Sequence, residues 1–149
     1  YGITSFVYRA KEPFIPQRLD DFFNQDWEGV IRAKGFFWLA TRPDFVGEIS
    51  QAGAFVTHQG IGRWWAAIPK DEWPEDMSTD DVAQYWDSQY GDRRQEIVFI
   101  GMKGHMDEAK ITKLLDACLA IDFIDNHKEY KSSPDPFPAW FVNDSCEIV

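Results

Sequence analysis

The sequence predicts an α+β domain: a mixed, largely antiparallel sheet of about five to six strands with about three helices, mainly on one face. Three observations lead there. Residues Val30–Thr41 end in a short apolar run in which Phe36, Trp38 and Ala40 alternate with Phe37 and Leu39. Side chains alternate across a strand, so a strand apolar on both faces belongs in the middle of a sheet. Residues Gln95–Gly101 repeat the pattern, with Ile97 and Phe99 opposing Val98 and Ile100. The strand-like stretches between 45 and 68 lie too close together for crossover helices and favour antiparallel hairpins.

A chain of 149 residues with 44% hydrophobic and 16% aromatic content has ample material for one packed core. Its formal charge of −10 repels a phosphate backbone, and no Arg-rich stripe opposes that, so nucleic acid is excluded as a general partner. No apolar stretch is long enough to span a membrane, and no signal peptide is visible. Cys118 and Cys146 are far apart and outside any Cys-x-x-Cys, which points to a reducing, cytoplasmic setting rather than a disulfide framework. Asn143-Asp144-Ser145 matches a glycosylation sequon, a short pattern of little weight in that setting. The chain starts at Tyr1 rather than Met and reads as a piece of something longer.

In order, Ile3–Ala10 has the β-branched and aromatic content of a strand. Pro13 and Pro16 break it, and Pro16 suits the first turn of a helix running to about Trp27, with Leu19, Phe22 and Phe23 apolar. The central strand follows, with Arg32 and Lys34 as two cations at its entry. Arg42-Pro43-Asp44 is a turn; Phe45–Gln51 and Ala54–Gln59 are strands; Gly60-Ile61-Gly62 is another turn; Arg63–Ile68 is a further strand. On that strand, adjacent Trp64 and Trp65 face opposite sides of the sheet. After a loop over 69–77, Ser78 and Asp81 resemble a capping box opening a helix with Val82, Tyr85 and Trp86 inward. Asp107 caps the clearest helix, with Ile111, Leu114, Leu115, Cys118 and Leu119 on one face. The domain is read as residues 1–123. Residues 124–149 are read as an extended, partly disordered Pro-rich tail with Phe137 and Trp140 as anchors.

Chemistry is harder to find. Gly101-Met102-Lys103-Gly104 lacks the spacing and the hydroxyl of a P-loop, and Gly60-x-Gly62 lacks the third glycine of a dinucleotide fingerprint. His58, His105 and His127 are isolated, so no closed metal site assembles. Glu48 reads as an exposed strand carboxylate rather than a general base. The run Asp92–Glu96 places Arg93 and Arg94 at a strand entry, where guanidinium forks can clamp carboxylates across an interface or serve local ion pairs. No catalytic or metal residue is assigned. The interface candidates are Arg32, Lys34, Trp38, Trp64, Trp65, Arg93, Arg94, Phe137 and Trp140.

Five blocks carry a resemblance: Tyr1–Arg9, Arg32–Ala40, Gly91–Gly101, Asp116–Leu119 and Pro134–Trp140. In this order and spacing the chain resembles the C-terminal domain of CobW-type P-loop GTPases. The resemblance implies a non-catalytic regulatory and interaction domain of a GTP-dependent metallochaperone, acting in metal insertion or in zinc or cobalt homeostasis. It implies an N-terminal GTPase domain of the same polypeptide as partner, with GTP, magnesium and zinc or cobalt belonging to the parent protein and no cofactor in this chain. A metalloprotein client and self-association of the chain are the further partners it allows. The P-loop, the Cys-x-Cys-Cys motif and the His-rich stretch of that family are not in this sequence. The alternative reading is an autonomous small-ligand or metal-binding domain with an unrecognised site. Under the first reading, part of the second sheet face, with Trp64 or Trp65, is covered by the GTPase domain.

Overall fold

Strand β2 (Val30–Phe37) lies at the centre of a five-stranded sheet, between β5 (Gln95–Met102) and β3 (Phe45–Ala52); β1 (Ile3–Ala10) and β4 (Phe55–Arg63) are the edges. Every neighbouring pair is antiparallel. The helices are α1 (Pro16–Phe23), α2 (Thr79–Ala83), α3 (Glu108–Asp116) and α4 (Phe123–Lys131); β6 (Phe141–Val142) and β7 (Glu147–Ile148) form a separate pair. This computed structural model describes residues 2–142 and 147–148. Cys146 and the sequon at 143–145 lie outside the described residues.

One face of the sheet is the floor of the main core. Tyr8, Ala33, Phe37, Ile49, Ile97 and Phe99 point into it, with Val56 of β4 packed at its margin, and meet Leu19, Phe22 and Phe23 of α1 and Ile111 and Leu115 of α3. Each buried Leu, Ile or Phe among them contributes about 1.5–3 kcal/mol by leaving water. Helix α1 starts at Pro16 as expected but stops at Phe23 rather than Trp27. Trp27 still joins the core: its Nε1 donates to the Phe22 carbonyl and its ring lies 4.9 Å from that of Phe22. Helix α3 begins where expected, with the Lys110 amide donating to the Asp107 carboxylate.

The central strand is shorter than its apolar run. It leaves the sheet after Phe37, because residues 38–40 pair with Phe14 instead: the Phe14 amide donates to Trp38 and the Ala40 amide to Phe14. Gln95, fully buried, supplies the missing sheet partner, accepting from the Trp38 amide and donating to the Trp38 and Glu12 carbonyls.

Gly60-Ile61-Gly62 is not a turn. Val46 pairs with Gly62 and Gly47 with Gly60, so Ile61 is the extra residue of a bulge inside a nine-residue strand. The glycines at 47 and 60 have a packing reason: a Cβ at either position would stand under 3 Å from Trp140. Consequently Arg63–Ile68 is not a strand. Trp65–Ala67 is a single 3-10 turn, held by the Asp92 carboxylate, which accepts from the amides of Trp65 and Ala66. Ser78 makes no side-chain cap to α2, and Tyr85 and Trp86 are exposed rather than inward.

Most of the described residues read as an extended tail turn out otherwise or are tied down. Residues 123–131 are helical with a kink at Asn126, and Phe123 lies against Trp38 at 5.5 Å between centroids. Residues 133–140 form a strap across the open end of the core, and Phe137 and Trp140 are its buried anchors. Arg42, read only as part of a turn, fastens it: Nε and Nη2 donate to the Asp135 carboxylate, and Nη2 and Nη1 to the carbonyls of Phe137 and Pro138. The Arg42 guanidinium also lies 4.7 Å from the Trp140 ring centroid.

Candidate interaction surface

Among the described residues, no helix covers most of the width of the second face of the sheet. Register places Val7, Val98 and Lys34 side by side across β1, β5 and β2, and Ser5, Ile100 and Arg32 in the next row. Ser50 and Thr57 continue the first row on β3 and β4, and Ala52 and Phe55 the second. Val7 and Val98 are each 37% exposed, Met102 45% and Ile3 73%. Ile31, the bulged residue of β2, adds another exposed side chain. Contiguous apolar exposure of this kind marks contact sites more often than free surface.

Arg32 and Lys34 stand in the middle of this apolar field. Both are exposed, and neither makes an ion pair among the described residues. On a chain of net charge −10 they form a local cationic centre with apolar flanks. Such a centre suits an acidic surface with apolar neighbours, where the stems of Arg and Lys bury and their heads pair.

One end of this face is closed by the segment between β4 and β5. Trp64 packs on Phe36 at 6.0 Å between centroids and donates its Nε1 to the Phe45 carbonyl. Arg94 lies between the rings of Phe36 and Tyr85, at 4.9 and 3.9 Å from their centroids, with its Nη1 on the Asp92 carbonyl. Arg93 donates to the carbonyls of Pro43 and Tyr90 and sits 3.6 Å from Asp44.

Of the nine residues expected at an interface, Arg32 and Lys34 are on the bare face and Trp65 is half-buried beside Trp73. Trp38, Trp64, Phe137 and Trp140 are buried within the chain. The expectation is corrected for these four, because their indoles and ring satisfy the chain's own cores. Arg93 and Arg94 serve internal carbonyls and rings, the local alternative to a clamp. Sequence reasoning missed Val7, Val98, Ile100 and Met102. The signal was present, since β5 is apolar on both parities and part of the second face was expected to be covered by the GTPase domain, but only Trp64 or Trp65 was named for that contact.

Titratable groups elsewhere are structural. The Tyr8 hydroxyl donates to Asp116, and burial first, that bond second, raises its pKa. Burial pushes the Cys118 thiol up to about 11, so it stays protonated and acts as a small hydrophobe. His58 lies between Phe23 and Phe137, and burial lowers its pKa. Among the described residues, no three His, Cys, Asp or Glu side chains gather as metal ligands, and no helix is long and apolar enough to cross a membrane.

Comparison with known proteins adds the family. Residues 3–119 match the family described as the cobalamin synthesis protein cobW C-terminal domain. The chain is 37% identical over 125 residues to zinc-regulated GTPase metalloprotein activator 1 of Dictyostelium discoideum, covering 82% of this chain and 26% of that protein. It is 31% identical over 142 residues to a zinc chaperone of Mycobacterium tuberculosis, covering 93% of this chain and 35% of that one. The fold is also that of part of the Zn(II)-bound YjiA GTPase from E. coli, with a TM-score of 0.50 at 16% identity over 78% of this chain and 29% of that chain. The chain thus spans about a quarter to a third of the relatives it matches.

Proposed function

We propose a function that starts from one premise: the chain belongs to the cobalamin synthesis protein cobW C-terminal domain family. It acts as the non-catalytic regulatory and interaction domain of a GTP-dependent, cytoplasmic metallochaperone concerned with zinc or cobalt. Its partner is the N-terminal GTPase domain of the same polypeptide, or the metalloprotein client that receives the metal. GTP, magnesium and the metal are held by that other domain, and this chain transmits its nucleotide state through a packed surface.

The observation that carries this reading is the bare sheet face with Arg32 and Lys34 at its centre and Val7, Val98, Ile100 and Met102 beside them. The lengths and the names of the relatives support it, because they leave room for a GTPase domain and describe GTPase and zinc-handling proteins. The test is X-ray scattering on the full-length polypeptide with Arg32→Glu and Lys34→Glu. Both positions are exposed, so the domain keeps its fold, while the reversed charge separates it from its neighbour and the radius of gyration rises. A profile identical to that of the unaltered protein would sink the reading.

A further inference from the structure

Between β4 and β5, Trp64 and Tyr90 join the second core, but the stretch from Trp65 to Trp86 between them does little for either core. Trp73, Met77, Val82 and Trp86 belong to neither apolar cluster, and α2 buries no residue. Yet the segment is built with care for its indoles. Trp65, Trp73 and Trp86 form a ladder with ring centroids 5.6 and 6.2 Å apart and planes inclined by 60° and 61°. Trp73 is pinned from behind by its Nε1, which donates to the Ile68 carbonyl at 2.9 Å. The Trp65 end is held by Asp92 through the two backbone amides described above.

Beside this ladder runs a groove of about 760 Å³ whose wall is mostly apolar, with Trp73, Met77, Val82 and Trp86, and whose charged lining residues are Glu75 and Lys70. That volume falls within the range of ligand-holding clefts. Its surroundings are acidic: Asp71, Glu72, Glu75, Asp76, Asp80 and Asp81 are all exposed, with Lys70 as the one cation in the run 70–81. The Trp86 ring is 42% exposed, an unusual cost for an indole that packs no core.

We propose that this groove docks an extended peptide segment of a partner protein, one that carries Arg or Lys beside proline or other apolar residues. Indole faces accept both cationic heads and proline rings, and an extended proline-bearing segment loses little entropy on docking. The flanking carboxylates attract the same cations at range and reject acidic competitors. Net charge argues against the other occupants. A second copy of the chain also carries −10, and a nucleic acid is more negative still. The groove is separate from the bare sheet face, so its fate does not depend on the GTPase reading.

The test uses the 149-residue chain on an array of short peptides holding two cations and two prolines, with a matched array in which Glu replaces each cation. Cationic members bind and their acidic counterparts do not. For the tightest peptide, calorimetry reads an affinity loss of about tenfold or more on Trp86→Ala. A smaller loss of about threefold follows Asp80→Asn with Asp81→Asn, two exposed positions that leave the fold intact, and added salt mimics it. The proposal is overturned if no cationic peptide binds better than its acidic counterpart, or if neither variant changes binding. Self-association in sedimentation that Trp86→Ala abolishes would also overturn it, and would assign the groove to a second copy.

Discussion

Replacing Arg42 by Met removes the fastening of the strap and leaves its anchors in place. The guanidinium makes four hydrogen bonds to residues 135–138, and the side chains of Arg42 and Asp135 are only 10% and 17% exposed. Without it, the Asp135 carboxylate keeps only the Thr41 hydroxyl and the Phe137 amide. Breaking a buried pair costs about 3–5 kcal/mol; residual exposure and those two donors put this case near the lower end, at about 3 kcal/mol. For a chain of this size that corresponds to a fall in Tm of roughly 6–12 °C. Urea unfolding and thermal melts measure it, with hydrogen exchange at the Phe137 amide as the local readout. Arg42→Lys keeps the charge but cannot fork between a carboxylate and two carbonyls, so it recovers less than half of the loss. Arg42→Met within about 0.5 kcal/mol of the unaltered chain, or full recovery by Lys, would refute the clamp.

Gly60→Ala pushes a methyl to within 2.7 Å of Trp140 Cβ and is expected to cost about 1–3 kcal/mol. In a Trp140→Gly background, which removes the Cβ as well as the ring, the same change should cost far less, and equal costs in both backgrounds would show that Trp140 is not what excludes a side chain. His58 is lowered by burial and by Arg42, against an opposing effect of Asp20. A group kept neutral by the fold stabilises above its unfolded pKa of about 6.5, and stability falls as pH drops from there toward the folded value, then levels off. Comparing urea midpoints of the unaltered chain and His58→Phe through that window isolates the effect, and parallel curves would remove His58 as its source. Calorimetry of the chain with GTP and magnesium, and melts with and without a chelator, should show neither a nucleotide site nor a metal-dependent Tm. A stoichiometric micromolar GTP site, or a large drop in Tm on chelation, would reveal a pocket built from residues that are scattered in sequence.

The central strand, the α1 and α3 cores and the largely antiparallel character of the sheet were legible because periodic burial leaves a periodic trace, whereas the strand order was not. Phe37, Ile97 and Phe99 face one way and match Leu19, Phe22, Leu115 and Ile111 at helical spacing. What was not legible depended on partners far away in the chain. Gly60 and Gly62 carry the composition of a turn, and only Trp140, eighty residues on, makes Gly60 a strand residue under an indole. Residues 123–131 have a weak apolar stripe, so nothing local announces a helix that leans on the second core through Phe123 and Tyr130. Arg42 and Asp135 are an unremarkable turn residue and a residue between prolines until the fold joins them. At the interaction surface the cations were found by position, while Val98 and Ile100 were placed on the second face but not singled out as contact residues. An apolar residue reads the same whether the chain itself or another protein covers it.

The central claim is that the face bearing Lys34 and Val98 is open in this chain and covered in the full-length protein. A cysteine at Val98, 37% exposed as valine, reports on it directly in a Cys118→Ser, Cys146→Ser background. Its rate of alkylation is measured in the 149-residue chain and in the full-length polypeptide with GTP and magnesium. Covering by the GTPase domain should slow the reaction in the full-length protein by about tenfold or more, with a control cysteine at exposed Ser88 unchanged. Equal rates at position 98 in the two proteins would contradict the claim.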